Sequence, residues 1–337
     1  MAKSLAIVLV TVVLWAICPE SQAASTANKL AIGHVLLNAR AAPLWVAKEQ
    51  GFFAKHGLNV EIILVRGSPI LAAAMSSGDI EMGFTGGTAV MGAAVGGADL
   101  KLLANFTGRL TQDLIVRPGI RTPQDLRGKK LGIVSIGGTT WMVAILGLEH
   151  LGLEPGRDKI NLMPLGDQTV LAQALLAGTI DATILDGVYS RRLQGQGNLI
   201  LAEFGKSNIP LASVGVVARA AVIEKKPLVI ESALKALLEA NAYVLNPANK
   251  AITLGVLQRR LKIGESEAEE GFQDMLLGLE RKPYPSLEGM RNIQRLMKVR
   301  NPKAESVRVE DLVDQRFLKK LDESGFIDRL YNAAGEK

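Results

Sequence analysis

Two stretches of the chain share one succession of apolar and polar positions. Each begins with a short apolar run, at residues 29–33 and at residues 130–134. A segment with apolar residues at helical spacing follows, then a second apolar run, a second helical segment and a third apolar run. The pattern predicts strand, helix, strand, helix, strand in each copy, and therefore a duplicated supersecondary unit.

Residues at the expected helix ends support this duplication. Ser68 and Pro69 are of the types that favour the N-cap and the first position of a helix, and Asp167 is expected to cap the equivalent helix of the second copy. Gly78 and Gly178 follow these helices, at the position where a left-handed residue is favoured. Helices placed between strands in this way imply parallel pairing and right-handed crossovers.

The predicted fold class is α/β, with two similar Rossmann-like lobes joined by a two-segment hinge. We assign the apolar run 113–116 to the first lobe, because a Pro-Gly pair at 118–119 interrupts the chain after it. The chain is expected to cross between the lobes near residues 117–121 and to return near 211–214. The amphipathic helices of the C-terminal region are expected to pack on the first lobe. The predicted divisions are a signal peptide at 1–23, the first lobe at 24–118 and 212–337, and the second lobe at 119–211.

Composition and charge narrow the class of protein. A chain of 337 residues with 48% hydrophobic and 21% charged residues is typical of a globular protein with two apolar cores. The net charge is +6, and no run of lysine and arginine is interleaved with aromatic residues. A nucleic-acid partner is therefore not expected.

The first residues fit a secretory signal. Lys3 supplies a positive n-region, residues 5–18 form an apolar h-region, and Ser-Gln-Ala at 21–23 fits a small-x-small cleavage motif. The apolar run is shorter than the ~20 residues of a membrane span, so we expect cleavage after Ala23, with an uncleaved anchor as the alternative. Cys18, the one cysteine, would leave with the signal, and neither a disulfide nor a thiol nucleophile is then expected.

Four loops fall at the carboxyl ends of predicted strands, where open α/β sheets bind ligands. Glycine in such a loop lets backbone N–H groups approach a ligand, and a following helix N-terminus adds partial positive charge. The loops therefore favour an anionic ligand, and ordinary tight turns are the alternative. The candidate ligand-binding residues in these loops are His34, Thr85, Gly86, Gly87, Thr88, Gly137, Gly138, Thr139 and Thr140.

Catalytic and metal-binding chemistry has little support in the sequence. The three histidines, His34, His56 and His150, are each far from one another and from cysteine, so no metal site is expected. Neither a Gly-x-Ser-x-Gly elbow nor a P-loop is present. Asp186 is an acid–base candidate without a visible partner. We expect a binding protein without a cofactor, and not an enzyme.

Four segments resemble the nitrate/sulfonate/taurine-type substrate-binding proteins of ABC importers, a group that includes binders of thiamine-pyrimidine precursors. They read PLWVAKEQGFFAKHGLNVE at 43–61, MSSGDIEMG at 75–83, TPQDLRGKKLGI at 122–133 and LLAGTIDA at 175–182. The resemblance covers residues 29–335. It implies the type II periplasmic binding protein architecture, in which two lobes of a periplasmic monomer close on a small solute. The implied partners are that solute and an ABC permease with its ATPase.

The resemblance also implies which residues contact the solute. By the family pattern these are His34, Asn38, Gly86, Gly137, Gly138, Thr139 and Asp186. Relatives often end the strand that begins at 181–182 with an acidic residue and proline, whereas this chain has Asp186 followed by Gly187 and Val188. That departure leaves the contacts on this side of the cleft open.

Two kinds of solute remain open at this point. One is a small anion such as an alkylsulfonate, nitrate or carboxylate, favoured by the glycine and threonine loops. The other is a flat heterocycle such as a pyrimidine, on which Trp141 and Tyr189 could stack, although core packing also explains these side chains. A pyrimidine-synthase-like enzyme fits less well, because the relatives with that activity use a Cys-rich motif. A periplasmic sensor would need a membrane partner.

Overall fold

Residues 28–332 are the part of the chain that this computed structural model describes, and the predicted signal peptide lies outside them. The strands are β1 Asn28–His34, β2 Leu58–Leu64, β3 Met82–Thr85, β4 Leu100–Arg109, β5 Asp113–Val116, β6 Lys130–Ile133, β7 Asn161–Pro164, β8 Ala182–Leu185, β9 Leu199–Glu203 and β10 Pro210–Arg219. The α-helices are α1 Ala42–Glu49, α2 Phe52–Lys55, α3 Ser68–Ser77, α4 Gly87–Val95, α5 Thr139–His150, α6 Gln168–Leu176, α7 Gly187–Gly195, α8 Ala220–Lys225, α9 Pro227–Leu245, α10 Lys250–Leu261, α11 Glu265–Leu276, α12 Leu287–Arg300, α13 Arg316–Glu323 and α14 Phe326–Asn332.

These strands form two sheets with the same design. The first has the order β2-β1-β3-β10-β4 and the second the order β7-β6-β8-β5-β9. β1 runs parallel to β2 and β3, and β6 runs parallel to β7 and β8. The fourth strand of each sheet, β10 or β5, runs antiparallel to both of its neighbours. The predicted duplication and the α/β fold class are therefore confirmed.

The placement of β5 in the first lobe was wrong. β5 pairs with β8 and β9, so it belongs to the second sheet. The chain leaves the first lobe between β4 and β5, at residues 110–112, and returns between β9 and β10, at residues 204–209. Pro118 and Gly119 form a turn inside the second lobe. A turn and a hinge carry the same Pro-Gly signal, which explains the error.

Most of the residues predicted to begin or end helices do so in the structure. Gly78 and Gly178 adopt positive φ angles of 98° and 72°. The Asp167 carboxylate accepts the N–H groups of Thr169 and Val170 at 3.0 and 3.2 Å. Ser68 differs from the prediction, because it lies inside α3 and Gly67 is the N-cap.

The C-terminal helices pack on the first lobe and also reach the second. α9 packs against α1, and α12 packs against β10 and α4. α11 contacts α7 of the second lobe, where Arg192 Nε donates to Glu267 Oε1 at 2.6 Å. Within residues 28–332, no helix is both long and apolar enough to span a bilayer.

Candidate ligand-binding cleft

A cavity of about 270 Å³ lies between the two lobes. The first lobe lines it with residues 35–38, Arg40, residues 64–68 and Ser213, and the second lobe adds the loops after β6, β7 and β8. Apart from Ser213, which lies within β10, most of these residues are in loops at the carboxyl ends of parallel strands. Open α/β sheets bind ligands at this edge. The structure therefore has a cavity between the lobes, at the strand ends where the sequence predicts a cleft.

Two of the helix N-termini that border the cavity have a glycine at the N-cap. α3 begins after Gly67 and α5 begins after Gly138, and neither N-cap residue offers a side-chain acceptor. The first N–H groups of a helix have no partner within the helix, and the helix dipole adds positive charge at this end. At α6 the Asp167 carboxylate accepts the first N–H groups, whereas no N-cap side chain does so at α3 or α5. Both are suited to receive an anion.

The two threonines that begin α5 have different surroundings. Thr140 Oγ1 accepts the Val134 N–H at 3.0 Å and so holds the loop after β6 in shape. Thr139 Oγ1 lies 3.4 Å from Thr88 Oγ1 of α4, on the other lobe. Thr139 therefore stands where the lobes meet, with a hydroxyl that can donate to a solute in the cavity.

A buried ion pair joins the lobes beside the cavity. Arg40 lies in a 3-10 helix of the first lobe and is 1% exposed, and its Nη2 pairs with Asp186 Oδ1 at the end of β8. Asp186 Oδ2 accepts from Asn38 Nδ2 at 2.6 Å and also from Gln168 Nε2. The Asp186 N–H donates to Gln168 Oε1 at 2.8 Å. Asp186 is therefore held from both lobes.

The Arg40 guanidinium has no hydrogen-bond partner at Nε or Nη1. Burial lowers the pKa of Arg40, and the carboxylates of Asp274 and Asp113 oppose that shift. Arginine side chains in proteins stay protonated, so Arg40 is a cation. Arg40 is therefore a buried cation beside the cavity, and Asp186 is its direct ion-pair partner.

Five of the predicted contact residues line the cavity: Asn38, Gly138, Thr139, Thr140 and Asp186. His34 does not line it. Its ring is buried edge-on against Trp45 with centroids 6.1 Å apart, and burial lowers the pKa of His34 to about 4. The structure thus gives His34 a neutral, packed position at the end of β1.

The loop after β3 packs against the protein and lies outside the cavity lining. A Cβ on Gly86 would come 2.3 Å from the Ser213 carbonyl oxygen, and one on Gly87 would come 2.1 Å from Met290 Sδ. Thr85 is buried beside them. Close packing of β10 and α12 therefore accounts for this glycine pair.

The remaining candidates, Gly137, Trp141 and Tyr189, also lie outside the lining. Gly137 has a φ of 78° and borders a separate groove. Trp141 is buried in the core, with the Arg300 guanidinium 5.9 Å from its ring centroid. Tyr189 Oη lies 3.2 Å from Thr169 Oγ1. Among the described residues that line the cavity, none is aromatic.

Sequence reasoning missed several polar residues of the cavity: Arg40, Gln112, Gln168 and Ser213. Arg40 offered a signal, because it is the one charged residue in a small-residue and apolar stretch, 39–47, that reads as buried. Gln168 follows the Asp167 cap, and Ser213 lies within a strand, so neither position carries a distinctive local signal.

Comparisons with known proteins agree with this architecture. A Brucella abortus relative, whose name describes a binding protein, is 25% identical over 236 residues, which are 67% of this chain and 70% of that one. The periplasmic aliphatic sulphonate binding protein SsuA from Escherichia coli superposes with a TM-score of 0.68 at 18% identity, over 86% of this chain and 92% of that chain. The periplasmic nitrate-binding protein NrtA from Synechocystis gives 0.70 at 16% identity, over 88% and 89%.

Two duplicated lobes around a cleft define the class, which is the periplasmic binding protein fold. The sequence model described as NMT1/THI5 like matches residues 38–251. The chain belongs to the NMT1/THI5-like family.

Proposed function

We propose that this protein is the solute-binding component of an ABC import system. In this role it is secreted to the periplasm, acts as a monomer and captures a small anionic solute between its lobes. It delivers the solute unchanged to a membrane permease and its ATPase. The family, the fold and the named functions of the sulphonate- and nitrate-binding neighbours support the proposal.

The anionic class rests on one observation, the helix N-termini that border the cavity. The N-termini of α3 and α5, each with a glycine at the N-cap, meet there beside the hydroxyl of Thr139. The proposed contacts are the first N–H groups of α5 and the hydroxyl of Thr139. Trp141 and Tyr189, the side chains that favoured a flat heterocycle, lie away from this lining.

Titration calorimetry on the purified protein tests this class. The protein is first unfolded and refolded to remove any carried-over solute, then titrated with methanesulfonate, nitrate, bicarbonate, small carboxylates and pyrimidines. We expect binding by at least one anion and none by the neutral pyrimidines. Binding confined to the pyrimidines would contradict the anionic class while leaving the binding role in place.

A variant at Thr139 tests the location. Thr139→Val removes the hydroxyl and keeps the side-chain shape, and we expect anion affinity to fall by about tenfold, since a lost hydrogen bond to a charged group is worth roughly 1.5 kcal/mol or more. Thr169→Val is the matched control, because Thr169 occupies the first turn of α6 and faces Tyr189. Equal losses in the two variants would place the anion elsewhere.

A further inference from the structure

The Arg40–Asp186 pair points to a determinant of solute charge. We propose that Asp186 makes the cavity select monoanions over dianions, by neutralising Arg40. The inference rests on the proposed function and concerns the same site. Asp186 acts through Arg40, and its own oxygens are already engaged with Arg40, Asn38 and Gln168.

The charges that line the cavity sum to a small positive potential. The side chains contribute two cations, Arg40 and Arg66, and two carboxylates, Asp167 and Asp186. Their formal charges cancel. The N-termini of α3, α5, α6 and α7 border the cavity, and each adds partial positive charge. The net positive charge of the site therefore comes from helix termini and not from the paired side chains.

The position of Asp186 makes it the decisive carboxylate. Asp186 and Arg40 are both almost fully buried, so solvent screens their charges weakly. Asp167 is half-exposed and its carboxylate is committed to the cap of α6. Asp113 and Asp274 also face Arg40, from the side of the hinge. Among these groups Asp186 alone pairs directly with Arg40 and lines the cavity.

Loss of the Asp186 charge would therefore remove the direct partner of Arg40 at the cavity wall and leave Asp113 and Asp274 facing it from the side of the hinge. A dianion gains about twice as much from the added positive charge as a monoanion does. Asp186→Asn keeps an amide oxygen that can still accept from Asn38 or Gln168. The variant thus changes the charge of the site with little change in its shape.

The experiment compares methanesulfonate with sulfate, which are similar in size and differ by one charge. Calorimetry gives both dissociation constants for the wild type, Asp186→Asn and the double variant Arg40→Gln with Asp186→Asn. We expect the wild type to prefer methanesulfonate. In Asp186→Asn we expect the ratio of affinities to shift toward sulfate by about tenfold or more. In the double variant we expect a return to the wild-type ratio, because both charges are gone.

Asp167→Asn is the matched control, and its ratio should shift less than that of Asp186→Asn because Asp167 is half-exposed. A preference of the wild type for sulfate, or an unchanged ratio in Asp186→Asn, would overturn the inference. If Asp186→Asn fails to fold, the double variant tests the inference in its place. A ratio of methanesulfonate to sulfate affinity that differs from the wild-type ratio would then show that the charges of Arg40 and Asp186 do not cancel. Binding of neither anion by the wild type contradicts the proposed anionic class itself, and this inference falls with it.

Discussion

Two buried side chains titrate in opposite senses within the same pH window. Burial lowers the pKa of His34 from 6.5 to about 4. Burial raises the pKa of Asp113 from 3.8 to about 6, helped by Asp274 and opposed by a hydrogen bond from Ser190. Between about pH 4 and 6, the folded protein therefore holds a proton at Asp113 that the unfolded chain has lost, and has lost a proton at His34 that the unfolded chain still holds.

The signs of these two shifts give a prediction for stability. The His34 shift makes the folded state gain stability as the pH rises from 4 to 6.5, whereas the Asp113 shift makes it lose stability between 3.8 and 6. The two slopes oppose each other in the wild type. Asp113→Asn removes the Asp113 slope and keeps that of His34, so its unfolding free energy should gain on the wild type by up to about 3 kcal/mol from pH 4 to 6.5.

Urea unfolding at four pH values across that window measures this difference. His34→Gln is the opposite control, because it leaves only the Asp113 slope and should lose stability relative to the wild type as the pH rises. Parallel pH profiles for Asp113→Asn and the wild type would contradict the raised pKa of Asp113.

At the scale of elements, the turn between β3 and α4 is fixed by what packs on it. Gly86 lies against the backbone of β10, and Gly87 lies against Met290 of α12. The loop before α5 is different, because Gly137 has open space around its Cβ position and needs glycine only for its positive φ. Glycines in these two loops thus answer different constraints.

Alanine substitutions separate these two constraints. Gly86→Ala would press a Cβ into backbone that cannot move aside, and we expect a loss of about 3 kcal/mol or more. Gly137→Ala should lose only about 1–2 kcal/mol, the cost of a left-handed alanine. Urea unfolding of both variants measures the difference, and equal losses would show that Gly86 is not packed as described.

At the scale of the whole molecule, the lobes are joined by more than the two crossing segments. The Arg295 guanidinium on α12 donates to both carboxylate oxygens of Glu149 on α5, at 2.9 and 2.7 Å. α12 belongs to the first lobe and α5 to the second. This contact lies far along the chain from the Arg40–Asp186 pair and is a second ion pair that joins the lobes.

Removing the Arg295–Glu149 contact should open the lobes. In Arg295→Gln we expect a larger radius of gyration by X-ray scattering without solute, and a two- to fivefold weaker anion affinity, since exposed pairs are worth roughly 0.5–1 kcal/mol. Arg291→Gln is the control, because Arg291 lies on the same helix and pairs with Glu310 at 2.8 Å. An equal effect in both variants would argue against a role in closure.

Much of the fold could be predicted from the sequence, because the signals that define the duplicated unit lie close together along the chain. The periods of apolar residues and caps such as Asp167 depend on neighbours a few positions away. β5 was misplaced because its pairing with β8 depends on residues about seventy positions later, and the Pro-Gly turn after it carries no information on which sheet it joins.

The site could be predicted only in part, for a similar reason. Gly138, Thr139 and Asp186 were predicted from their positions in loops at strand ends, and they line the cavity. Such a prediction is possible because the sheet topology alone brings these strand ends together. Arg40 was missed because its importance comes from Asp186, which the chain brings to it only across the lobes. Gly86 and Gly87 looked like ligand-binding glycines, and their packing against β10 and α12 follows only from the tertiary structure.

The origin of the fourth strand in each sheet has a consequence for synthesis. Every strand of the second sheet comes from residues 113–203, whereas the first sheet needs β10, which ends at Arg219. During translation from the N-terminus, the second sheet can therefore be complete before the first, although the first begins earlier. Domains usually fold in the order in which they emerge. Here the ribosome must release about two thirds of the chain before the first lobe can close, which favours a prolonged unfolded interval in the nascent polypeptide.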